Sequence, residues 1–579
     1  MRPARIEYPS AVEESQSMSQ QSHAARQVRD EPERMLMWGV RLLLVLTLLA
    51  YLPAMRAGYI WDDDSYVTQN PTLIDLEGLR KIWFEPTASP QYYPLVFTTF
   101  WIERHLWGLQ PFGYHAVNIV LHALNAVLLW FLLRRFKVAG SWFIAAVFAL
   151  HPVHVESVAW ISERKNVLSA TLYLSALLVY CRTAGLEGPS TESLQAHAHR
   201  LTSGRLSALM LYIGALLSKT VTCTLPVTVL LLTWWKRGRM TRRDVIPLIP
   251  MFGVGLVLGL TTAWIEAHHT GARGTEWDFS WAQRCLIAGR ALWFYAAKLF
   301  WPAPLMFIYP RWRIDLGSLQ QWAYPIMFAL VLGVLWVVRR RIGRGPFVAV
   351  ACFLVTLTPA LGFVNVYPMK FSFVADHFQY LASIGMIACG IGPIAAGVGR
   401  LTVRHQQLVT AGGVAMLGLL LVLTMRQARI YSDQETLWRD VLRQNPSAWI
   451  AHNNLGCLLQ RRWKLEEAAA HFRQAIQLKP GFADAHSNLG VVFAGQSRFK
   501  EAMVQYALAM LADSDYATPH RNLGSLLVAQ GKFDEAIYHY REAVRLKPTF
   551  AAARSALEQL LAVRAPGGGV LSRAGLGKE

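Results

Sequence analysis

The sequence predicts an all-α protein in two parts, a polytopic membrane helix bundle followed by a soluble helical solenoid, and three observations predict it. Of its 579 residues, 53% are hydrophobic and only 16% charged, with a mean hydropathy of +0.26, which is too apolar for a soluble chain of this size. Apolar windows of about 17–25 residues, long enough to cross a bilayer's hydrocarbon, recur up to residue 425 and then stop. Beyond them, Leu455-Gly456, Leu489-Gly490 and Leu523-Gly524 return at intervals of 34 residues.

The apolar windows lie near 36–55, 113–133, 141–158, 166–181, 205–218, 220–235, 245–264, 283–301, 322–338, 346–363, 373–397 and 407–425. The net charge of +20 is concentrated in short loops between them: Arg134-Arg135-Phe136-Lys137, Lys236-Arg237-Gly238-Arg239 with Arg242-Arg243, Arg339-Arg340-Arg341 with Arg344, and Arg400 with Arg404. Basic short loops mark the cytoplasmic face of a membrane protein, so a nucleic-acid partner is excluded by the placement of the charge. With the N-terminus inside, the parity works at every basic loop except across 283–301. That segment is therefore expected to be a re-entrant or membrane-surface helix, leaving about eleven spans, with the chain emerging after 425 on the outer side.

Residues 1–34 are polar and unpatterned and are expected to form a disordered cytoplasmic tail. Residues 35–430 make the membrane domain, and its first span is long enough to stay as an anchor, so no cleavable signal is needed. The six cysteines show no paired spacing, and five fall in apolar segments, which argues for neither a disulfide framework nor a zinc site.

Residues 56–112 form the first large external loop. It holds Trp61-Asp62-Asp63-Asp64-Ser65 and the aromatic stretch Gln91-Tyr92-Tyr93-Pro94-Leu95, and it ends in an expected interfacial amphipathic helix over 98–108. The segment 151–166 is dense in ionisable residues near the outer interface, where such groups are costly and so mark a site. Further external loops over 266–281 and 365–373 add polar and aromatic groups, and the span after them begins with Asp376-His377-Phe378-Gln379-Tyr380.

From 431 to 563 the 34-residue interval also links Ala468, Ala502 and Ala536; Phe472, Tyr506 and Tyr540; and Ala475, Ala509 and Ala543. This is the tetratricopeptide (TPR) period with its packing residues in place. Three units result, with a leading helix over 434–444 and a capping helix over 549–563, and residues 564–579 form a loose, glycine-rich tail. Asn454, Asn488 and Asn522 recur directly before each Leu-Gly pair. Either they are repeat filler, or they make an amide ladder along the groove able to bind an extended acceptor peptide whatever its sequence.

Asp62, Asp63 and Asp64 are the candidate chemistry. The plain alternative is a solvated acidic cap after a span. Three carboxylates between Trp61 and Tyr66 are better suited to a partly desolvated base that takes a proton from a hydroxyl nucleophile, as attack on a sugar linked to a lipid phosphate requires. A phosphate leaving group needs cations at the same interface, and Arg164, Lys165, Lys219, Lys370 and His377 are the candidates, with Tyr380 beside them. Taken singly, each of these cations also reads as an interfacial residue snorkelling to the headgroups. His151, His154 and Glu156 have spacing that permits metal ligation. Pro152 breaks any helix that would align them, so they read instead as a polar lining of a donor cavity. A divalent ion at Asp62–Asp64 is chemically conceivable, but no metal or other cofactor is expected.

Gly58-Tyr-Ile-Trp-Asp-Asp-Asp-Ser-Tyr-Val-Thr-Gln-Asn70, Tyr93-Pro-Leu95, the block 111–124, His151-Pro-Val-His-Val-Glu-Ser-Val-Ala159 and Glu163-Arg-Lys-Asn166, taken in this order, resemble the transmembrane and TPR-containing O-mannosyltransferases of the GT-C glycosyltransferase superfamily. The resemblance runs from residue 35 through the repeats. It implies a GT-C-type membrane domain, a polyprenyl-phosphate-linked donor sugar, mannose, and a Ser or Thr hydroxyl of a protein as acceptor. It also implies that Asp62 and Asp63 supply the base, a choice among the three carboxylates that the residues alone do not make. Two departures touch substrate contacts: Tyr93 stands where the family has a basic residue, and Lys219-Thr220 where it has a Lys-Glu pair.

The expected function is thus a membrane glycosyltransferase whose repeats recruit a protein acceptor. Its catalytic loop and repeats would both face the periplasm of a bacterial inner membrane. A non-catalytic TPR scaffold for assembly or export is the competing class, and it would leave the acidic run dispensable. Transfer to a glycan or lipid is the third.

Overall fold

A computed structural model describes residues 34–186, 194–272, 274 and 276–564. The expected tails at 1–34 and 564–579 lie outside the described residues except for Arg34 and Arg564, which are helical. All regular structure among the described residues is helical. The chain divides into two compact units, one of residues up to 305 together with Arg313–Ser432, the other of Met306–Trp312 with the residues from 433 onward.

Among the described residues of the first unit, five helices are long and apolar enough to cross a membrane: Arg34–Tyr51, Pro111–Arg135, Arg242–His268, Leu319–Ile342 and Val403–Ile430. A sixth arises if Ser141–Leu150 and Pro152–Ala159 form one broken span, bent by 53°. Pro152 has no N–H to continue the first helix, which accounts for the break. Gly345–Ala360 and Ser383–Val398 are shorter apolar helices.

Of the remaining expected spans, 205–218 lies in one unbroken helix, Leu194–Ser218, and two others depart from a plain apolar helix. Helix Arg164–Thr183 opens with two cations, and the window 220–235 is split by a 3-10 turn, Thr220–Thr224, before Leu225–Arg237. Helix Arg164–Thr183 is mostly buried among other helices and Leu225–Arg237 only in part, so neighbouring helices cover much of the first.

The window 283–301 is one unbroken helix, Trp281–Phe300, with no re-entrant turn. It starts at a capping box in which Ser280 and Gln283 serve each other's backbone N–H groups. Arg284 leaves the apolar face to bond Gly362 O, Trp277 O (3.1 Å) and Asn365 Oδ1 (2.9 Å).

The loop after the first span is an ordered layer. Asp75 caps helix Leu76–Phe84 through Gly78 N (2.7 Å), and Pro94 begins helix Pro94–Trp107, where the missing N–H costs nothing. This second helix buries one face and leaves Ile102 and Leu106 exposed on the other. Phe97 and Phe100 enter a core with Tyr66, Val67, Leu73 and Tyr114, and Glu103 is buried.

In the second unit, helix Gln434–Gln444 is capped by Asp433 and leads into three helix pairs. These are Trp449–Arg461 with Leu465–Leu478, Ala483–Gly495 with Phe499–Ala512, and Ala517–Ala529 with Phe533–Leu546, closed by Ala551–Arg564. The 34-residue interval has a steric cause. A Cβ on Gly456, Gly490 or Gly524 would come within 2.7, 2.6 and 2.8 Å of the rings of Phe472, Tyr506 and Tyr540, so only glycine lets the two helices of a pair close. The short stretch Met306–Trp312 belongs to this unit: Phe307 meets Trp438 edge-on at 5.8 Å, and Asn445 Nδ2 donates to Ile308 O at 3.2 Å.

Candidate functional site

The acidic run sits in a strained turn. Trp61 has φ of 41°, a left-handed conformation that a bulky residue adopts only where its surroundings impose it. Its ring is held between Trp160 (6.2 Å, stacked) and Phe371 (5.6 Å, edge-on). The turn sends the following two carboxylates apart.

Asp63 is completely buried. Its Oδ2 accepts from Ile60 N (2.9 Å) and its Oδ1 from Ser162 N (2.8 Å), tying the first external loop to the segment 151–166. Burial pushes its pKa up to about 7, and these donors oppose the rise. Asp62 instead lines a cavity of about 820 Å³. Burial pushes its pKa up to about 6, with Lys165 pulling it down and Glu163 pushing it up. Asp64 accepts from the Thr68 hydroxyl (3.1 Å), so the three carboxylates do not converge on one point. Among the described residues, no group of three or more His, Cys, Asp or Glu side chains is placed to hold a metal ion.

Opposite Asp62 stands the segment after the broken helix, a 3-10 turn Ile161–Glu163 running into Arg164–Thr183. Glu163 is the hub. Its Oε1 lies 2.8 Å from Lys165 Nζ and its Oε2 lies 3.5 Å from Lys219 Nζ. Lys219 also donates to Asn166 Oδ1 at 2.6 Å, and Lys165 lies over the rings of Tyr66 (5.1 Å) and Trp160 (5.8 Å). Burial works to raise the Glu163 pKa, but His377, Lys165 and Lys219 outweigh it and hold the carboxyl well below the usual range. Lys219 is pushed down to about 8 by burial and by Lys165, against the pull of Glu163. One carboxylate is therefore shared by two buried ammonium groups, and both line the cavity.

His377 completes this wall. Glu156 orients it twice, through His377 Nδ1 (3.0 Å) and His377 N (3.0 Å). The other wall carries Gln91, Tyr93 and Glu266, with Gln91 Nε2 donating to Glu266 Oε1 at 2.7 Å and Tyr66 OH to Gln91 Oε1 at 2.5 Å. Away from these groups the cavity becomes apolar. It runs between Phe252, Leu256 and Leu260 of helix Ile249–His268 and Val355, Phe363 and Val364. Phe252, Leu256 and Leu260 are themselves exposed, so this arm opens sideways toward hydrocarbon.

The structure therefore brings Asp62, Lys165, Lys219 and His377 to one cavity, with Glu156 behind His377. Other expected residues stand elsewhere. Arg164 is fully buried and locked to Glu103, Asn118 and Tyr114 O, a structural ion pair rather than a ligand for a donor phosphate. His151 bonds Leu299 O (3.1 Å), and His154 bonds Phe148 O (2.8 Å) and Ser383 Oγ (3.0 Å). The Tyr380 hydroxyl meets His122 Nδ1 (2.6 Å) and Asn125 Nδ2 (3.1 Å). These three form a buried polar core outside the cavity lining. Lys370 lies 5.7 Å over the ring of Tyr367, a cavity residue, without lining the cavity itself.

Glu163, Gln91 and Glu266 were not singled out from the sequence. Glu163 stands in the same ionisable segment as Lys165, where a carboxylate beside two cations was the available signal.

In the repeat unit, Asn488 Nδ2 donates to Asn453 Oδ1 (3.0 Å) and Asn522 Nδ2 to Ser487 Oγ (3.4 Å), bridging successive units. The Asn453 amide donates to Asn454 Oδ1 (3.3 Å). The ladder is therefore partly spent on joining repeats.

A family model described as TPR repeat matches residues 464–497 and 524–561. The human protein O-mannosyl-transferase TMTC1 is 35% identical over 170 residues, 26% of this chain and 19% of that protein. Drosophila melanogaster protein O-mannosyl-transferase Tmtc3 is 32% identical over 178 residues, 25% of this chain and 19% of that protein. A solved structure, the first TPR of Spaghetti (RPAP3) bound to an HSP90 peptide, is 19% identical, covering 20% of this chain and 94% of its own, with a TM-score of 0.20. The chain spans about a fifth of the length of the curated relatives it matches. Its homologues are thus protein O-mannosyl-transferases of the TMTC family, and its C-terminal unit carries TPR repeats.

Proposed function

We propose that this chain is an integral-membrane glycosyltransferase that moves a mannosyl group from a polyprenyl-phosphate donor to a Ser or Thr hydroxyl of a protein. One observation carries the reading. A single cavity joins an unshared carboxylate, Asp62, to two lysines that share Glu163, and continues into an apolar groove open toward lipid.

In this reading the prenyl chain lies along Phe252, Leu256 and Leu260, and the phosphate meets Lys165 and Lys219. The acceptor oxygen attacks the sugar's anomeric carbon as the bond from that carbon to the phosphate oxygen breaks, inverting the centre. Asp62 takes the hydroxyl proton, and the two ammonium groups stabilise the charge that grows on the departing phosphate. A pKa of about 6 leaves Asp62 ionised at neutral pH yet basic enough to accept that proton. Asp63, His377 and Glu156 act as positioning residues. No metal enters the scheme.

The TPR unit recruits the acceptor, with Asn454, Asn488 and Asn522 facing its backbone. The sequence's charge parity supports a catalytic loop and repeats on the outer side of a bacterial inner membrane.

The test is transfer by the purified full chain from polyprenyl-phosphate mannose to a Ser/Thr peptide. Asp62→Asn is expected to abolish transfer while the protein remains folded. Parent-like transfer by that variant would refute the mechanism, and no transfer by the parent chain itself would favour the scaffold.

A further inference from the structure

The first unit contains a second cavity, of about 420 Å³, unconnected with the chemistry above. The second cavity runs along helix Gly345–Leu357, lined from Gly345 to Thr356, and Val355 of the same helix lines the proposed donor cavity. Phe136, Lys137 and Trp235 line it together with Leu174, Ala349 and Gly392, and because Lys137 is exposed the cavity has a mouth there.

Three cations stand at this mouth. Lys137 lines it and is exposed. Lys236 donates to Phe136 O (2.6 Å) and lies 4.2 Å from the ring centroid of Trp235 and 5.2 Å from that of Phe136. Arg344 stands 5.5 Å over Trp234. No Asp or Glu occurs among the described lining residues.

We propose that this cavity holds an acyl chain of an anionic glycerophospholipid, with the headgroup phosphate at Lys137 and Lys236. The charge selects an anion, because basic pockets between membrane helices attract anionic headgroups. A choline headgroup is disfavoured, since Lys236 already covers the aromatic faces that would receive it. The depth selects the chain. Gly345 to Thr356 corresponds to about 16 Å of helix at 1.5 Å per residue, roughly half of a hydrocarbon core of about 30 Å. That is the reach of one leaflet's acyl chain and too short for a polyprenyl chain lying extended.

The test is native mass spectrometry of the detergent-purified full chain titrated with phosphatidylglycerol and with phosphatidylcholine of the same acyl chains. Phosphatidylglycerol is expected to bind about tenfold more tightly. That preference should vanish in Lys137→Gln/Lys236→Gln, whose exposed positions leave folding intact, and retention should fall in Ala349→Trp, which fills the cavity. Equal binding of the two lipids, or unchanged preference in the double variant, overturns the proposal. Displacement of phosphatidylglycerol by equimolar polyprenyl phosphate in Lys165→Gln, whose proposed donor site is disabled, would overturn the choice of occupant.

Discussion

Asp62 and Asp63 are neighbours in sequence with separate surroundings. Both carboxylate oxygens of Asp63 are taken by the backbone N–H groups of Ile60 and Ser162, while Asp62 lines the cavity. The two substitutions should therefore fail differently. Asp62→Asn should lower transfer by at least a hundredfold with an unchanged melting temperature. Asp63→Ala strands two buried donors and should lower stability by about 3 kcal/mol, read as an earlier thermal transition in detergent.

The pH dependence of kcat/KM for the donor should be bell-shaped. Asp62 must be ionised to accept a proton, so activity rises as pH climbs through about 6. Lys219 must be protonated to hold phosphate, so activity falls as pH passes about 8. Lys219→Arg should move the alkaline limb beyond the measured range and leave the acid limb in place.

Glu163→Gln tests the shared carboxylate. Glu163 raises the Lys219 pKa against burial, so removing its charge lowers that pKa further. The alkaline limb should then shift below 8 in the pH–rate profile. A limb that stays put would show that Lys219 is not the group titrating.

Arg164 and Glu103 provide a contrast inside the same unit. Both are buried and paired, so Glu103→Gln leaves an uncompensated guanidinium and should cost about 3–5 kcal/mol. The loss should appear as reduced monodispersity and a lower melting temperature, with kcat of the surviving protein unchanged.

Transfer should also persist after exhaustive dialysis against EDTA, measured with the same donor and peptide. Loss of activity that is restored by a divalent ion would return a metal to the acidic run.

Much of this protein was legible in the sequence, because its large-scale organisation rests on local periodicity. Five of the apolar runs are single long helices, and the 34-residue interval reflects Gly456, Gly490 and Gly524 each fitting under an aromatic ring of its own repeat. The residue types of the candidate site could be named from the ionisable segments for the same reason, since charge near membrane depth is costly wherever it occurs.

The division of labour was decided only by tertiary structure. Ser162 lies 99 residues from Asp63, and this long-range hydrogen bond, with the strained turn at Trp61, makes Asp62 the carboxylate that meets the cavity. Burial likewise converts Arg164 into half of an internal ion pair, while Lys165, one residue on, faces the site. Helical periodicity turns adjacent side chains about 100° apart. Which of the two meets a partner or a cavity depends on elements that the local sequence does not contain.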